Sequence, residues 1–176
     1  MFALSYDAAL RREELCSVAI SDIDPAHRMI RIRAEVTKNR LERIVPYSVH
    51  TSSLYGQYLL ERRHLGNGRG CLFLSSSRRN PGKPLSFWMW SKSVKQFAKE
   101  SGVPLFTTHT LRHLRLTDLA RAGWDVHEIA TFAGHRSVQT TLGYIHLSGR
   151  ELATKLERTL VEVDRTRLSV LAGDLQ

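Results

Sequence analysis

Two cysteines, no long apolar run and a shortage of acidic side chains each exclude something. Cys16 and Cys71 are the only cysteines among 176 residues. They are too few for a disulfide framework and are not spaced as zinc ligands, so both read as small core hydrophobes in a reducing compartment. No stretch approaches the roughly 20 apolar residues of a membrane-spanning helix. The start, Met1-Phe-Ala-Leu-Ser-Tyr6, has neither the basic region nor the small-residue cleavage site of a signal peptide. The expectation is a soluble, cytoplasmic protein with no membrane partner. Against 17 acidic residues stand 26 Lys and Arg, for a formal charge of +9 and a pI near 10.1. Such a surface attracts polyanions, and phosphate contacts make affinity salt-sensitive. Nucleic acid is therefore the leading partner class, although charge alone fits a merely solvated basic surface equally well. A hydrophobic content of 42% suits one globular domain with a real core.

The patterning predicts a mainly α domain with a small antiparallel β-sheet, an α+β fold. Asp7 reads as the N-cap of a first helix through Ala8-Ala-Leu-Arg-Arg-Glu-Glu-Leu15, stopped by Asp22-Ile-Asp-Pro25. From Met29 the period becomes two, with Ile30, Ile32, Ala34 and Val36 on one face, and a second short strand follows at Arg43-Ile-Val-Pro-Tyr47. The two form a hairpin with Lys38 near its turn. Helical patterning returns over Ser52 to Leu65, Cys71 to Leu74 reads as a buried strand, and Ser75 to Pro84 as a surface loop. Ser86 opens a helix directing Phe87, Trp90, Val94 and Phe97 to the core. The C-terminal third reads as wholly helical, with a capping box at Asp125 and Glu128, Gly134 as a helix C-cap, and a short helix from Ser137 to about Tyr144. After Gly149, Leu152, Leu156 and Leu160 make one stripe of a last amphipathic helix.

His109-Thr-Leu-Arg112 places an imidazole and a guanidinium three apart, where one helical face directs both at a common point. Alone the motif is common. It is followed by Ala133-Gly-His135 and Thr140-Thr-Leu-Gly-Tyr144-Ile-His146, with Tyr144 nine residues after His135. In that order the residues resemble the second signature box of the tyrosine recombinases, the phage-integrase type. The family's first box usually reads Gly-Leu-Arg-x-x-Glu-Leu, and Ala9-Leu10-Arg11-Arg12-Glu13-Glu14-Leu15 matches it except that Ala9 replaces the glycine. Lys38 before Arg43-Ile-Val-Pro46 matches the hairpin lysine that the family places ahead of an Arg-x-Val-Pro strand. The resemblance runs from about Leu4 to His146.

The resemblance implies the tyrosine recombinase catalytic-domain fold and an integrase-like enzyme of DNA recombination, working without metal or other cofactor. It cuts and rejoins double-stranded DNA at a recombination site through a 3′-phosphotyrosyl intermediate, as enzymes of mobile elements do. Planar guanidiniums suit the charge that gathers on the non-bridging oxygens, which gives Arg11 and Arg112 the phosphate. Tyr144 is then the nucleophile, Lys38 the acid for the leaving 5′ oxygen and His109 the proton acceptor, while His135 donates a hydrogen bond to the phosphate. Glu14 supports the site by orienting Arg11 or a histidine. Arg40 competes with Lys38, and Tyr144 in isolation would be a core tyrosine.

A metal reading exists, because His109 and His113 share a helical face with His135 as a third ligand. The zinc-hydrolase motif needs Glu immediately after its first His, however, and Thr110 occupies that place. A type IB topoisomerase and a non-cutting DNA-binding module are the remaining alternatives. The Gly-His with its spaced Tyr favours a recombinase over the first, and the completeness of the six groups disfavours the second. The expected organisation is a catalytic domain over 1–148 and a helical tail over 149–176 that either docks on a neighbouring subunit, as the resemblance implies, or folds back on its own subunit. The family's N-terminal DNA-clamping domain is expected to be absent. The partners expected are DNA and further copies of the chain, a tetramer on paired sites in the nucleoid, with a monomer as the alternative state without DNA.

Overall fold

The computed structural model describes residues 1–66, 68–143 and 149–173, with side chains over 1–66, 68–143 and 156–168. The chain divides into two units, Met1–Tyr144 and Ile145–Gln176. The first holds seven helices and one sheet among its described residues.

The sequence predicts a helix that starts at Asp7, but α1 (Phe2–Asp7) ends there and α2 (Arg12–Ser17) begins five residues on. The chain breaks because Ala9 takes φ +46°, a left-handed conformation that no helix continues through. Ala8, Ala9 and Leu10 are fully buried at this corner. Asp7 caps something else. Its carboxylate accepts from Ser48 N, Ser48 Oγ and Thr51 Oγ1 at 2.9, 2.6 and 2.6 Å, which ties α1 to the first turn of α3 (Val49–Arg62).

The sheet has the order β1 (Ile23–Asp24), β2 (Met29–Ile32), β3 (Arg43–Pro46), antiparallel throughout, with Ile30 opposite Val45 and Ile32 opposite Arg43. β1 sits where the sequence shows only a helix stop. β2 ends at Ile32 although the alternation runs on to Val36. Arg33 leaves the ladder to donate to Ser17 O and Asp22 Oδ2 at 2.8 and 3.0 Å, and Ala34–Val36 closes as a 3₁₀ turn. Cys71 and Leu74 make only isolated bridges, to Ala19 and Pro84. Leu72 and Phe73 between them are buried, so the apolar run is core without being a strand.

In α4 (Phe87–Glu100), capped by Ser86, the buried residues Trp90, Val94 and Ala98 recur every four. Phe97 lies at the edge of that stripe and is exposed, against its predicted core position. α5 (Thr108–Arg121) and α6 (Val126–Ala133) follow, then the single turn of α7 (Gln139–Leu142). Asp125 and Glu128 cap α6 reciprocally, and Gly134 ends it at φ +63° as the sequence predicts. The core joins Leu10, Leu15, Ile30, Ile32, Val45, Leu116 and Ile129. α6 packs on both α5 and β3, which brings its C-terminal end to the hairpin. Among the described residues the second unit holds α8 (Gly149–Gly173), whose Leu156 and Leu160 are exposed.

Candidate active site

Three remote stretches of chain meet around a cavity of about 570 Å³ lined by Arg11, Lys38, Asn39, Gly134, His135, Arg136, Ser137 and Thr140. Three cationic side chains and no carboxylate form its wall. The other notable cavity, about 440 Å³ beside Leu4, Ile23, Tyr47, Tyr58 and Phe73, has no charged side chain in its lining. Of the two, only the first has the charge to suit an anion.

Arg11 is the N-cap residue of α2, two residues beyond the break at Ala9. Its Nη1 donates to Glu14 Oε1 at 2.8 Å and its backbone N–H to Oε2 at 2.9 Å. Glu14 is 1% exposed and has a second cation, since Arg43 Nη1 and Nη2 reach its two oxygens at 3.1 and 2.8 Å. Burial pushes the Glu14 carboxyl up, but the hydrogen bonds and charge of Arg43, with those of Arg11, prevail and hold it below the ordinary range. One carboxylate thus faces two guanidiniums. Because Arg43 neutralises Glu14, the charge of Arg11 is left in excess, and 26% of its side chain remains accessible.

Gly134 carries much of the geometry. Its carbonyl accepts from Asn39 Nδ2 at 3.2 Å and Arg11 Nη2 at 3.4 Å, joining the lysine turn and the first arginine to the loop that carries His135. A Cβ there would come within 2.8 Å of Arg43 Nη1, so only glycine leaves room for that guanidinium. Lys38 is exposed in the turn, one residue before Asn39. Arg40, its rival, follows at φ +54° and is not part of the cavity wall.

Arg112 is 1% exposed on α5. Its Nη2 donates to Ala133 O at 2.7 Å and its Nη1 to Ala9 O, so the buried charge fixes the corner before Arg11 and the helix end before His135 together. His135 Nδ1 lies 2.8 Å from Thr141 Oγ1. Burial, then the positive charges of Arg112, Arg11 and Arg43, push its pKa down to about 4, with Glu14 acting weakly the other way. The ring is therefore neutral at physiological pH. His109, exposed in the first turn of α5, is lowered too, by partial desolvation and the charges of Arg112, His113 and Arg11. Thr110, in the place a zinc hydrolase would give to Glu, caps α5 by accepting from Thr107 N. Among the described residues no three His, Cys, Asp or Glu side chains come together as metal ligands. Tyr144 and His146 lie outside the described residues.

Sequence reasoning missed Arg43, Asn39 and Thr141 as parts of the site. Arg43 had a signal, since it alternates with Val45 on the inward face of β3, and a charge there needs a buried partner. Asn39 and Thr141 had none. Cys16, its thiol pushed up to about 11 mainly by burial, is not a nucleophile.

This helical domain with its small three-stranded sheet is the tyrosine recombinase catalytic-domain fold. The chain belongs to the phage integrase family, whose profile matches residues 1–151. It is similar to transposase A from transposon Tn554 of Staphylococcus aureus, 33% identical over 165 residues that cover 89% of this chain and 45% of that protein. Tyrosine recombinase XerC of Corynebacterium glutamicum is 30% identical over 149 residues, 85% of this chain and 46% of that one. Among solved structures, XerA recombinase matches with a TM-score of 0.75 at 28% identity, over 89% of this chain and 56% of that one. The Tn1549 transposon integrase, solved with circular intermediate DNA, has the same fold at a TM-score of 0.75 and 20% identity, over 89% and 57%. The chain spans about half the length of the curated relatives it matches. No described helix is long and apolar enough to cross a membrane.

Proposed function

We propose that the chain is the catalytic part of a site-specific recombinase that cleaves and rejoins double-stranded DNA through Tyr144. Tyr144 Oη attacks the scissile phosphorus and its proton passes to His109. The bond from phosphorus to the 5′ oxygen breaks, and Lys38 Nζ supplies the proton that makes the leaving 5′ hydroxyl. The 3′ phosphate is then held as a phosphotyrosine, whose conserved bond energy lets a 5′ hydroxyl from another strand reverse the step without ATP. Arg11 holds the phosphate from the cavity wall, Arg112 adds a second guanidinium charge, and neutral His135 donates a hydrogen bond. Preorganised charge of this kind favours the transition state most. The observation that carries the reading is the convergence of Arg11, Lys38 and His135 on one carboxylate-free cavity, with Glu14 already neutralised by Arg43.

Assembly follows from the same reading. Four copies work on paired sites, and the tail from residue 149 docks its leucine stripe on a neighbouring subunit. The test is covalent capture of duplexes from a random-sequence library in the presence of EDTA, followed by sequencing. The expected result is an enriched site linked to wild-type protein and no adduct with Tyr144→Phe. An adduct that survives in Tyr144→Phe, or one that requires added zinc or magnesium, refutes the mechanism.

A further inference from the structure

We propose that Thr141 is a positioning residue that fixes the tautomer of His135, so that the imidazole offers an Nε2–H donor to the phosphate. The inference rests on the reading above that His135 serves that phosphate. Thr141, in α7, is 0% exposed, and its Oγ1 lies 2.8 Å from Nδ1 of His135. Both partners are anchored through their main chains. The His135 N–H donates to Ala130 O at 2.9 Å, continuing the capped end of α6, and the Thr141 N–H donates to Val138 O at 2.7 Å.

Two arrangements satisfy the distance between Nδ1 and Oγ1, and they differ in what they leave buried. If Nδ1–H donates to the hydroxyl oxygen, the hydroxyl hydrogen must find another acceptor. Among the described residues Oγ1 has this one hydrogen bond, so that hydrogen would be buried unpaired, which is costly. If the hydroxyl donates to the Nδ1 lone pair, both Oγ1–H and Nδ1 are paired and the ring hydrogen sits on Nε2. The opposite tautomer would leave Nε2 with a lone pair, which repels an anion where Nε2–H attracts one. The choice matters because the ring is neutral: burial and the surrounding arginines hold it so well below its ordinary pKa that an imidazolium, a donor at both nitrogens, is not the working form. A histidine among arginines thus acts as a directed hydrogen-bond donor, and the buried threonine directs it.

Thr141→Val removes the hydroxyl at nearly constant volume, and Thr141→Ser keeps it. Nitrogen-15 NMR of the imidazole at neutral pH reads the tautomer without DNA. Wild type and Thr141→Ser should show a protonated Nε2 with an unprotonated Nδ1, and Thr141→Val should lose that preference. Single-turnover cleavage of a captured site should fall about ten- to hundredfold in Thr141→Val, less than the loss of roughly 10²–10³ expected for removing a transition-state donor outright. It should recover in Thr141→Ser, with non-covalent DNA binding unchanged. A wild-type ring protonated at Nδ1, or an unaltered tautomer in Thr141→Val, overturns the proposal, and the wild-type spectrum decides this even if the valine variant does not fold. An altered tautomer with cleavage intact overturns instead the assignment of His135 to the phosphate, and with it the catalytic role of Thr141.

Discussion

Replacing Gly134 with alanine should damage the protein through a side chain nearly a hundred residues away, and two other glycines show by how much. Gly102, Gly123 and Gly134 all have positive φ, at +73°, +90° and +63°. At Gly102 and Gly123 an added Cβ meets nothing within 4 Å, whereas at Gly134 it meets Arg43 Nη1 at 2.8, Cδ at 3.1 and Cζ at 3.2 Å. The backbone cost of a left-handed alanine, about 1–2 kcal/mol, is common to all three. A flexible arginine would simply move aside, but Arg43 is held by Glu14 through two bonds and by Phe132 O at 3.1 Å. Losing one hydrogen bond to a charged group costs about 1.5–3 kcal/mol. Gly134→Ala should therefore lose roughly 2.5–5 kcal/mol and Gly102→Ala about 1–2 kcal/mol. Urea unfolding of the three variants at neutral pH measures the difference. If Gly134→Ala falls within about 0.5 kcal/mol of Gly102→Ala, a gap no larger than ordinary surface variation, Arg43 is not pinned and the neutralisation of Glu14 loses its support.

Ala9→Gly should be nearly neutral in the same assay, because relief of about 1–2 kcal/mol of left-handed strain offsets a lost buried methyl of about 0.8 and an unfolded-state entropy of about 0.4–1 kcal/mol. Ala8→Gly, equally buried but at φ −94°, gains no relief and should lose about 1.5 kcal/mol; equal losses for the two would mean that Ala9 is unstrained. Lys38→Ala should lose about 10²–10⁴ in cleavage of ordinary DNA, and recover on a substrate with bridging 5′ sulfur, whose thiolate has a conjugate acid of pKa roughly 8.5 and leaves unaided. Arg11→Ala should stay impaired on both substrates, and rescue of Arg40→Ala in place of Lys38→Ala would move the acid to Arg40. His135 takes its proton near 6.5 when unfolded and near 4 when folded, so its contribution to stability is complete above 6.5 and is lost as pH falls toward 4. Urea midpoints across that range should fall less steeply for His135→Gln than for wild type, and parallel profiles would contradict the burial of the ring among arginines.

What was legible in the sequence was local. The capping box at Asp125 and the left-handed Gly134 are written within a few residues of where they act, and both stand as read. That a helix ends at Asp7 instead of starting there is not local, because the left-handed Ala9 beyond it is stabilised by a buried arginine that arrives from α5 to take its carbonyl. The early end of β2 has the same origin, since Arg33 leaves the alternation for partners on the preceding helix and turn. Phe97 misled because an aromatic at the margin of a helical stripe satisfies the periodicity whether or not anything covers it. The candidate residues were found by ordered spacing. Their bonding was not, because spacing names side chains, and many of the bonds here end on the main chain.

That last property has an evolutionary consequence. The acceptors that hold Arg112, Asn39 and the outer nitrogen of Arg11 are the carbonyls of Ala9, Ala133 and Gly134. A carbonyl is carried by every residue type, so no point mutation deletes it; only a change in the path of the chain displaces it. The guanidiniums are thereby registered to the trace of the backbone, and a lineage is free to exchange most surrounding side chains while the cationic array keeps its shape. Vulnerability is correspondingly concentrated where the path beside these acceptors depends on residue type, at the left-handed positions 9 and 134.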